Sequence, residues 1–253
     1  MVDMRKWVSE FGPTHRVYLE DSYVKELYTN IQGVLRERGN KYYLVLHGTI
    51  FHPKAGGQSN DTGFIDNDSL LFKVEKVLQI GDVIVHYGKL LKGELLQGMR
   101  VRLVLDWGKR YRNMRLHTAG HILDYAVKTV YGRVVETIEA YHSPPEPYIV
   151  YDAEAPSPDL VKEIEGIANN VVSSNIPVKI VNVNRDELDA VVFNAPNLRR
   201  LPVASNYRVV VIEGINAIPC TGTHVKYTGE VGKVVIKRVV DLKDKFKLIY
   251  DIE

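Results

Sequence analysis

Residues 106–127, DWGKRYRNMRLHTAGHILDYAV, mark the point where the hydrophobic period of the chain changes. Within them Leu116, Ala119, Leu123 and Ala126, followed by Val130, recur at steps of three and four, the spacing of one buried helix face. A helix over 109–131 is therefore expected. Upstream the pattern alternates instead. HRVYL (15–19), KYYLVLHG (41–48), SLLFKVEKVLQIG (69–81), DVIVHYGKL (82–90) and RVRLVLDW (100–107) read as short strands punctuated by Gly, Asn and Asp. YVKELYTNIQGVLRERG (23–39) carries mixed signals and fits a helix or an irregular strand. Strands so spaced argue for a small barrel or sandwich over 1–105, ending near Asp106.

Downstream of the helix, helix and strand signals mix over 106–253. Strands are expected at VVETIEAYH (134–142) and PYIVYDAE (147–154), on either side of the turn-forming SPPEP. Ser157 and Pro158 suit an N-cap and a first turn, leading into Leu160, Ile164, Ile167, Ala168 and Val171 on one face. Strand PVKIVNVNR, a short helix in RDELDAVVF, and strands RVVVIEG, KVVIKRVV and KFKLIYDIE complete an α+β domain, with helices on a mostly antiparallel sheet.

On the first helix His117 and His121 lie one turn apart, so both rings can face one ion. About a hundred residues later NAIPCTGTHVKYTGEVG (216–232) holds Cys220 and His224 at the same spacing. Pro219 and Gly222 there favour a tight loop rather than a helix. A histidine pair four apart arises easily among eight histidines, but this pair is joined by the only cysteine, itself four places before another histidine. One thiolate and three imidazoles make a tetrahedral set for zinc, about one ion per chain. Thr118 stands where a zinc protease would carry glutamate, so the pattern is not HExxH.

Composition bounds the rest. Charged residues make up 25% and the net charge is +2, which excludes a disordered chain and a strongly basic tail. One cysteine excludes an internal disulfide, and a thiolate ligand suits a reducing compartment. Residues 1–11, MVDMRKWVSEF, lack the apolar centre of a signal peptide, and no run is long enough to cross a membrane, so a cytoplasmic protein with no membrane partner is expected. The densest basic cluster, Lys109, Arg110, Arg112 and Arg115, lies just before His117 and suits phosphate contact.

HTAGH followed far downstream by CTGTH and TGEVG resembles the editing domain of alanyl-tRNA synthetase, and the length suggests its free-standing form, the AlaX family. FHPKAGGQSNDTGFI (51–65) is similar to that family's glycine-rich segment, and YLEDSYVKEL (18–27) to its usual opening. The resemblance runs in order over nearly the whole chain. Ala55 stands where the family commonly has a first glycine, and the motif usually written CGGTH is here CTGTH, with Thr221 beside the ligand.

The resemblance implies a translation-factor-like barrel and a zinc-bearing deacylase domain. It implies hydrolysis of the ester joining serine, and secondarily glycine, to the 3′ end of mischarged tRNA(Ala). It makes tRNA rather than DNA the partner, with His117, His121, Cys220 and His224 as metal ligands. A pocket shaped for alanine cannot strongly reject an added hydroxyl, which is why such an editor is needed. Gln58 and Thr118 are the expected catalytic groups; Gly56, Gly57, Thr137, Arg112 and Arg115 are the expected substrate contacts. Gln58 would belong to an exposed loop of the barrel domain that reaches the metal-bearing one. The chain carries no aminoacylation core. A zinc-stabilised RNA-binding module without catalysis is the competing reading, because four protein ligands normally mark a closed structural site. An editor for another amino acid is a further one.

Overall fold

The computed structural model describes residues 3–253, which form two compact units. The first takes the chain up to Ala55 and Ser59–Tyr111; the second takes Gly56–Gln58 and Arg112–Glu253. The three loop residues thus group with the second unit, not with the barrel as the sequence reading had them, because their partners are all there.

In the first unit the elements are α1 (Met4–Val8), β1 (His15–Arg16), α2 (Val17–Glu20), β2 (Glu26–Arg38), β3 (Lys41–Leu46), β4 (Gly48–Thr49), β5 (Gly63–Asp66), β6 (Leu71–Ile80), β7 (Val83–Lys92) and β8 (Arg100–Leu105). Six of them close into a barrel in the order β2-β3-β7-β6-β5-β8. The ambiguous segment proves to be the long strand β2. Glu26–Asn30 pair with β8, and from Ile31 the strand pairs with β3, with register shifts that bend it from one neighbour to the other. Leu27 and Ile31 face inward and, past the register shift, Val34 does, whereas Gly33 turns outward under Phe11; Ile31, Leu44, Phe72, Ile65 and Leu103 fill the interior. HRVYL is not a strand throughout. Only His15 and Arg16 find a partner, in parallel with β4, and the next residues coil into one helical turn that buries Tyr18.

The basic cluster is corrected at Arg110. Its side chain and that of Asp61 are fully buried in an ion pair. Arg110 also donates to Ser22 O at 2.9 Å and Ile50 O at 2.5 Å, while Asp61 Oδ2 accepts from His52 N at 2.6 Å. A guanidinium so enclosed holds the first unit together and contacts no phosphate.

Helix α3 (Trp107–Tyr131) contains the division between Tyr111 and Arg112. Leu116, Ala119, Leu123 and Ala126 are buried as expected, but so are Met114, Ile122 and Val127, so the helix is enclosed nearly all round and its histidines are not on a solvated face. The second unit continues with β9 (Thr137–Tyr141), β10 (Tyr148–Tyr151), α4 (Pro158–Ser173), β11 (Val178–Asn184), α5 (Leu188–Val191), β12 (Asn206–Ile212), β13 (Asn216–Pro219), β14 (Val234–Asp241) and β15 (Phe246–Ile252). These strands make two antiparallel sheets, ordered β14-β15-β10-β9 and β11-β12-β13. Ser157 caps α4 by accepting from Leu160 N, and Ile164, Ala168 and Val171 are buried while Leu160 is exposed. Strand β13, which delivers the chain to Cys220, has too few residues to show a period. No helix of the described residues is long and apolar enough to cross a membrane.

Candidate metal centre

Helix α3 brings in His117 and His121, and the loop after β13 brings in Cys220 and His224. The donor atoms of these residues all lie within 4.8 Å of one another. Cys220 Sγ sits 3.4 Å from His117 Nε2 and 3.4 Å from His224 Nε2. In a tetrahedral zinc site a sulfur and a nitrogen ligand are about 3.6 Å apart, given ordinary Zn–S and Zn–N lengths. The sulfur and the two nitrogens of His117 and His224 therefore stand at the spacing an ion would require.

The local sequence explains the approach. A side chain at position 222 would put its Cβ 2.1 Å from His117 Cε1, so the glycine lets the loop close over that ring. At position 120, within the helix, a Cβ would lie 2.5 Å from the ring of His142. His142 lies over His117, with ring centroids 4.4 Å apart at 26°, and its Nδ1 is 2.6 Å from Tyr250 Oη.

A second layer sets the rings. His117 Nδ1 is 3.0 Å from Gln58 Oε1, an acceptor, so the proton is on Nδ1 and the Nε2 lone pair faces the cluster. Gln58 Oε1 also accepts from Thr223 N at 3.0 Å, and Gln58 Nε2 donates to Thr223 Oγ1 at 2.9 Å. Thr118 Oγ1 lies 3.1 Å from His224 Nδ1 and accepts from Val225 N at 3.3 Å. Gln58 and Thr118, expected at the reacting atoms, thus each stand behind a ligand imidazole. Gln58 is 1% exposed, not the open cleft residue the sequence suggested.

Burial keeps the rings and the thiol of this cluster uncharged. Burial pulls His121 down to about 3, helped by His142 and Arg208, and its Nδ1 is buried without a hydrogen-bond partner. Burial likewise takes His142 down to about 3. Neutral rings keep their lone pairs available. Burial raises the Cys220 thiol above its ordinary value, a penalty that a cation beside the sulfur would reverse.

One face of the cluster forms a wall of a cavity of about 470 Å³ within the second unit, with His117, His121 and Cys220 in its lining. Gly56, Gly57 and Thr137 line it too, Gly56 and Gly57 with φ of 57° and 73°. Thr137 Oγ1 already accepts from Arg200 Nη2 at 2.7 Å. Arg112 and Arg115 are not in the lining: Arg112 pairs with Asp251 at 2.8 Å, and Arg115 donates to Val231 O and Glu253 O. Among the lining residues that reading the sequence missed are Asp124, His142, Arg200 and Arg208. Only Asp124 had a signal, since His117, His121 and Asp124 fall at i, i+4 and i+7 of one helix.

Comparison with known proteins agrees with this architecture. Residues 18–109 match the family model described as tRNA synthetases class II (A), and residues 207–245 match the threonyl and alanyl tRNA synthetase second additional domain. The alanine–tRNA ligase of Ignicoccus hospitalis is 33% identical over 240 residues, covering 94% of this chain and 26% of the relative. That of Saccharolobus islandicus (strain M.14.25 / Kamchatka #1) is 32% identical over 245 residues, covering 96% and 27%. That of Methanoregula boonei is 32% identical over 243 residues, covering 96% and 26%. The chain belongs to the alanyl-tRNA-synthetase-derived domains of the AlaX type. It spans about a quarter of the length of the curated relatives it matches.

Proposed function

We propose that this chain is a trans-editing hydrolase of the reducing cytoplasm that deacylates mischarged tRNA(Ala), chiefly Ser-tRNA(Ala) and secondarily Gly-tRNA(Ala), with one zinc ion held by His117, His121, Cys220 and His224. The observation that carries the reading is a preorganised set of metal donors opening on a cavity of about 470 Å³ in a domain of this family. That volume suits a terminal aminoacyl-nucleoside and is too small for a base-paired helix. Zinc bound there supplies a positive charge that polarises the ester carbonyl or fixes the aminoacyl end.

The chain's own residues do the rest. Gln58 and Thr118 hold the protons of two ligand rings on Nδ1, so that both Nε2 atoms stay aimed inward; both are positioning residues. Gly56 and Gly57 offer bare backbone to the substrate, and Thr137, fixed by Arg200, is the group nearest in kind to a reader of the serine hydroxyl. Arg200 and Arg208 in the cavity lining, with the partly exposed Arg112, suit the phosphates of the tRNA end. Arg115, tied to two backbone carbonyls, secures the chain's last strand to α3.

The decisive experiment incubates substoichiometric purified protein with Ser-, Gly- and Ala-tRNA(Ala) and measures free amino acid. Multiple turnovers on Ser-tRNA(Ala), with little on Ala-tRNA(Ala), are expected. Four protein donors also fit a closed structural site in a non-catalytic tRNA-binding module. Tight tRNA binding without turnover would establish that reading instead.

A further inference from the structure

Asp124 is the one carboxylate among the residues lining the cavity. It follows His121 by three positions on α3, a rise of about 4.5 Å along the axis, so it projects from the same side as the two histidine ligands, one turn further on. Tyr151 Oη donates to its Oδ1 at 2.8 Å and thereby fixes the carboxyl plane. No hydrogen bond reaches Oδ2, and among the described residues Asp124 makes no ion pair. Two arginines share the lining without forming an ion pair with it: Arg200 donates to Thr137 Oγ1 and Ile138 O, and Arg208 Nη1 to Cys220 O at 2.7 Å, although the charge of Arg200 is felt at Asp124. Burial outweighs the Tyr151 hydrogen bond and the charge of Arg200 and raises the Asp124 carboxyl to about 7, so the charged form needs a further cation beside it, and Asp124 lines the space where a ligand would lie.

The chemistry of an aminoacyl ester matches this placement. Its α-ammonium is two bonds from the ester carbonyl carbon. An acceptor for it must therefore stand a few ångströms from the groups that hold the carbonyl, which is where one helical turn puts Asp124 relative to His121. We propose that Asp124 receives the α-ammonium of the bound aminoacyl ester, so that a free amine is a condition for productive binding in this cavity. Esters whose nitrogen is acylated, as in a peptidyl-tRNA or an N-acetylaminoacyl-tRNA, lack the charge and are rejected. This rests on the deacylase reading of the same cavity and adds the feature by which it would know an aminoacyl end from a peptidyl one.

The test compares Ser-tRNA(Ala) with N-acetyl-Ser-tRNA(Ala). Wild-type protein should favour the free amine by roughly ten- to hundredfold in kcat/KM, the range of a charge-assisted hydrogen bond. Asp124→Asn keeps an acceptor for Tyr151 and should lose most of that preference through KM on the free amine alone, while the acetylated substrate is unaffected. A binding titration with 3′-(L-serylamino)-3′-deoxyadenosine and its N-acetyl form needs no turnover. It should show the same preference in wild type and its loss in Asp124→Asn. If wild type turns over both esters alike and binds both analogues alike, or if the variant weakens both forms equally, the assignment is overturned. Absence of turnover on Ser-tRNA(Ala) with a retained analogue preference would sink the deacylase reading and leave the ammonium site standing. Should Asp124→Asn fold poorly, the wild-type preference between the two analogues decides by itself.

Discussion

Each unit buries a cluster of polar side chains, and the two clusters are finished differently. Around Arg110 the network is saturated: the guanidinium meets Asp61 and two carbonyls, and Asp61 meets Arg110 and a backbone amide. Around His117 the network is saturated only on the outside, where Gln58 and Thr118 take the Nδ1 atoms. At its other members, His121 Nδ1 lacks a hydrogen-bond partner and the thiol is pushed up by burial. A closed network is architecture, because nothing can be added to it. An open one costs free energy that only a ligand returns.

Removing a metal donor breaks the comparison most completely. Cys220→Ala and His121→Ala should each leave purified protein nearly free of zinc by elemental analysis and abolish deacylation within the detection limit. Their melting temperatures should match that of chelator-treated wild type, since what is lost is the ion's contribution to folding. Full zinc occupancy in both variants would show that the donors do not share an ion.

Arg110→Ala breaks the saturated network and should do the opposite. Leaving Asp61 buried and unpaired should cost about 3–5 kcal/mol in chemical denaturation, with zinc content in the surviving folded fraction unchanged. A cost below about 1 kcal/mol would put this pair with ordinary surface bridges.

Gln58→Ala sharpens the line between the two clusters, since Gln58 closes the outer side of the open one. Its loss leaves His117 Nδ1 and Thr223 N without their acceptor. Activity on Ser-tRNA(Ala) should drop by about tenfold to a hundredfold, zinc should be held less tightly against a chelator, and stability should fall by about 1–3 kcal/mol. Activity within about twofold of wild type, with unchanged chelator resistance, would make the contact incidental.

How far these differences were legible depends on what a linear pattern can carry. The gathering of His117, His121, Cys220 and His224 was legible because each pair is local, four residues apart on one helix or in one loop. The barrel was legible from alternation, except where β2 changes partners and its period is broken by register shifts. Arg110 was misread because burial of a charge is decided by Asp61, 49 residues away, and nothing beside Arg110 announces it. Gln58 was placed on the wrong unit for the same reason, since its partner Thr223 is 165 residues distant. His142 and Arg200 belong to no periodic motif and reach the site only through the sheet and a loop. Asp124 had a local signal at i+7 from His117, which falls on the same helix side and was there to be counted.

The smallest expected effect concerns His86, a second closed polar contact in the barrel. Its Nε2 lies 2.8 Å from Thr49 Oγ1 and its Nδ1 3.3 Å from Leu44 O, and burial lowers its pKa to about 4. In the unfolded chain a histidine titrates near 6.5, so between that pH and about 4 the unfolded state binds the proton and the folded state does not. The neutral ring is therefore no burden above pH 6.5, and stability should fall as pH drops through this window, by at most about 1.4 kcal/mol per pH unit from this one group. In chelator-treated His121→Ala protein, where the zinc site cannot contribute, denaturation at pH 7 and pH 5 should still show the loss. His86→Gln, which retains a donor and an acceptor, should flatten the difference. An equal pH slope with and without His86 would assign acid sensitivity to other buried groups and leave the barrel contact electrically silent.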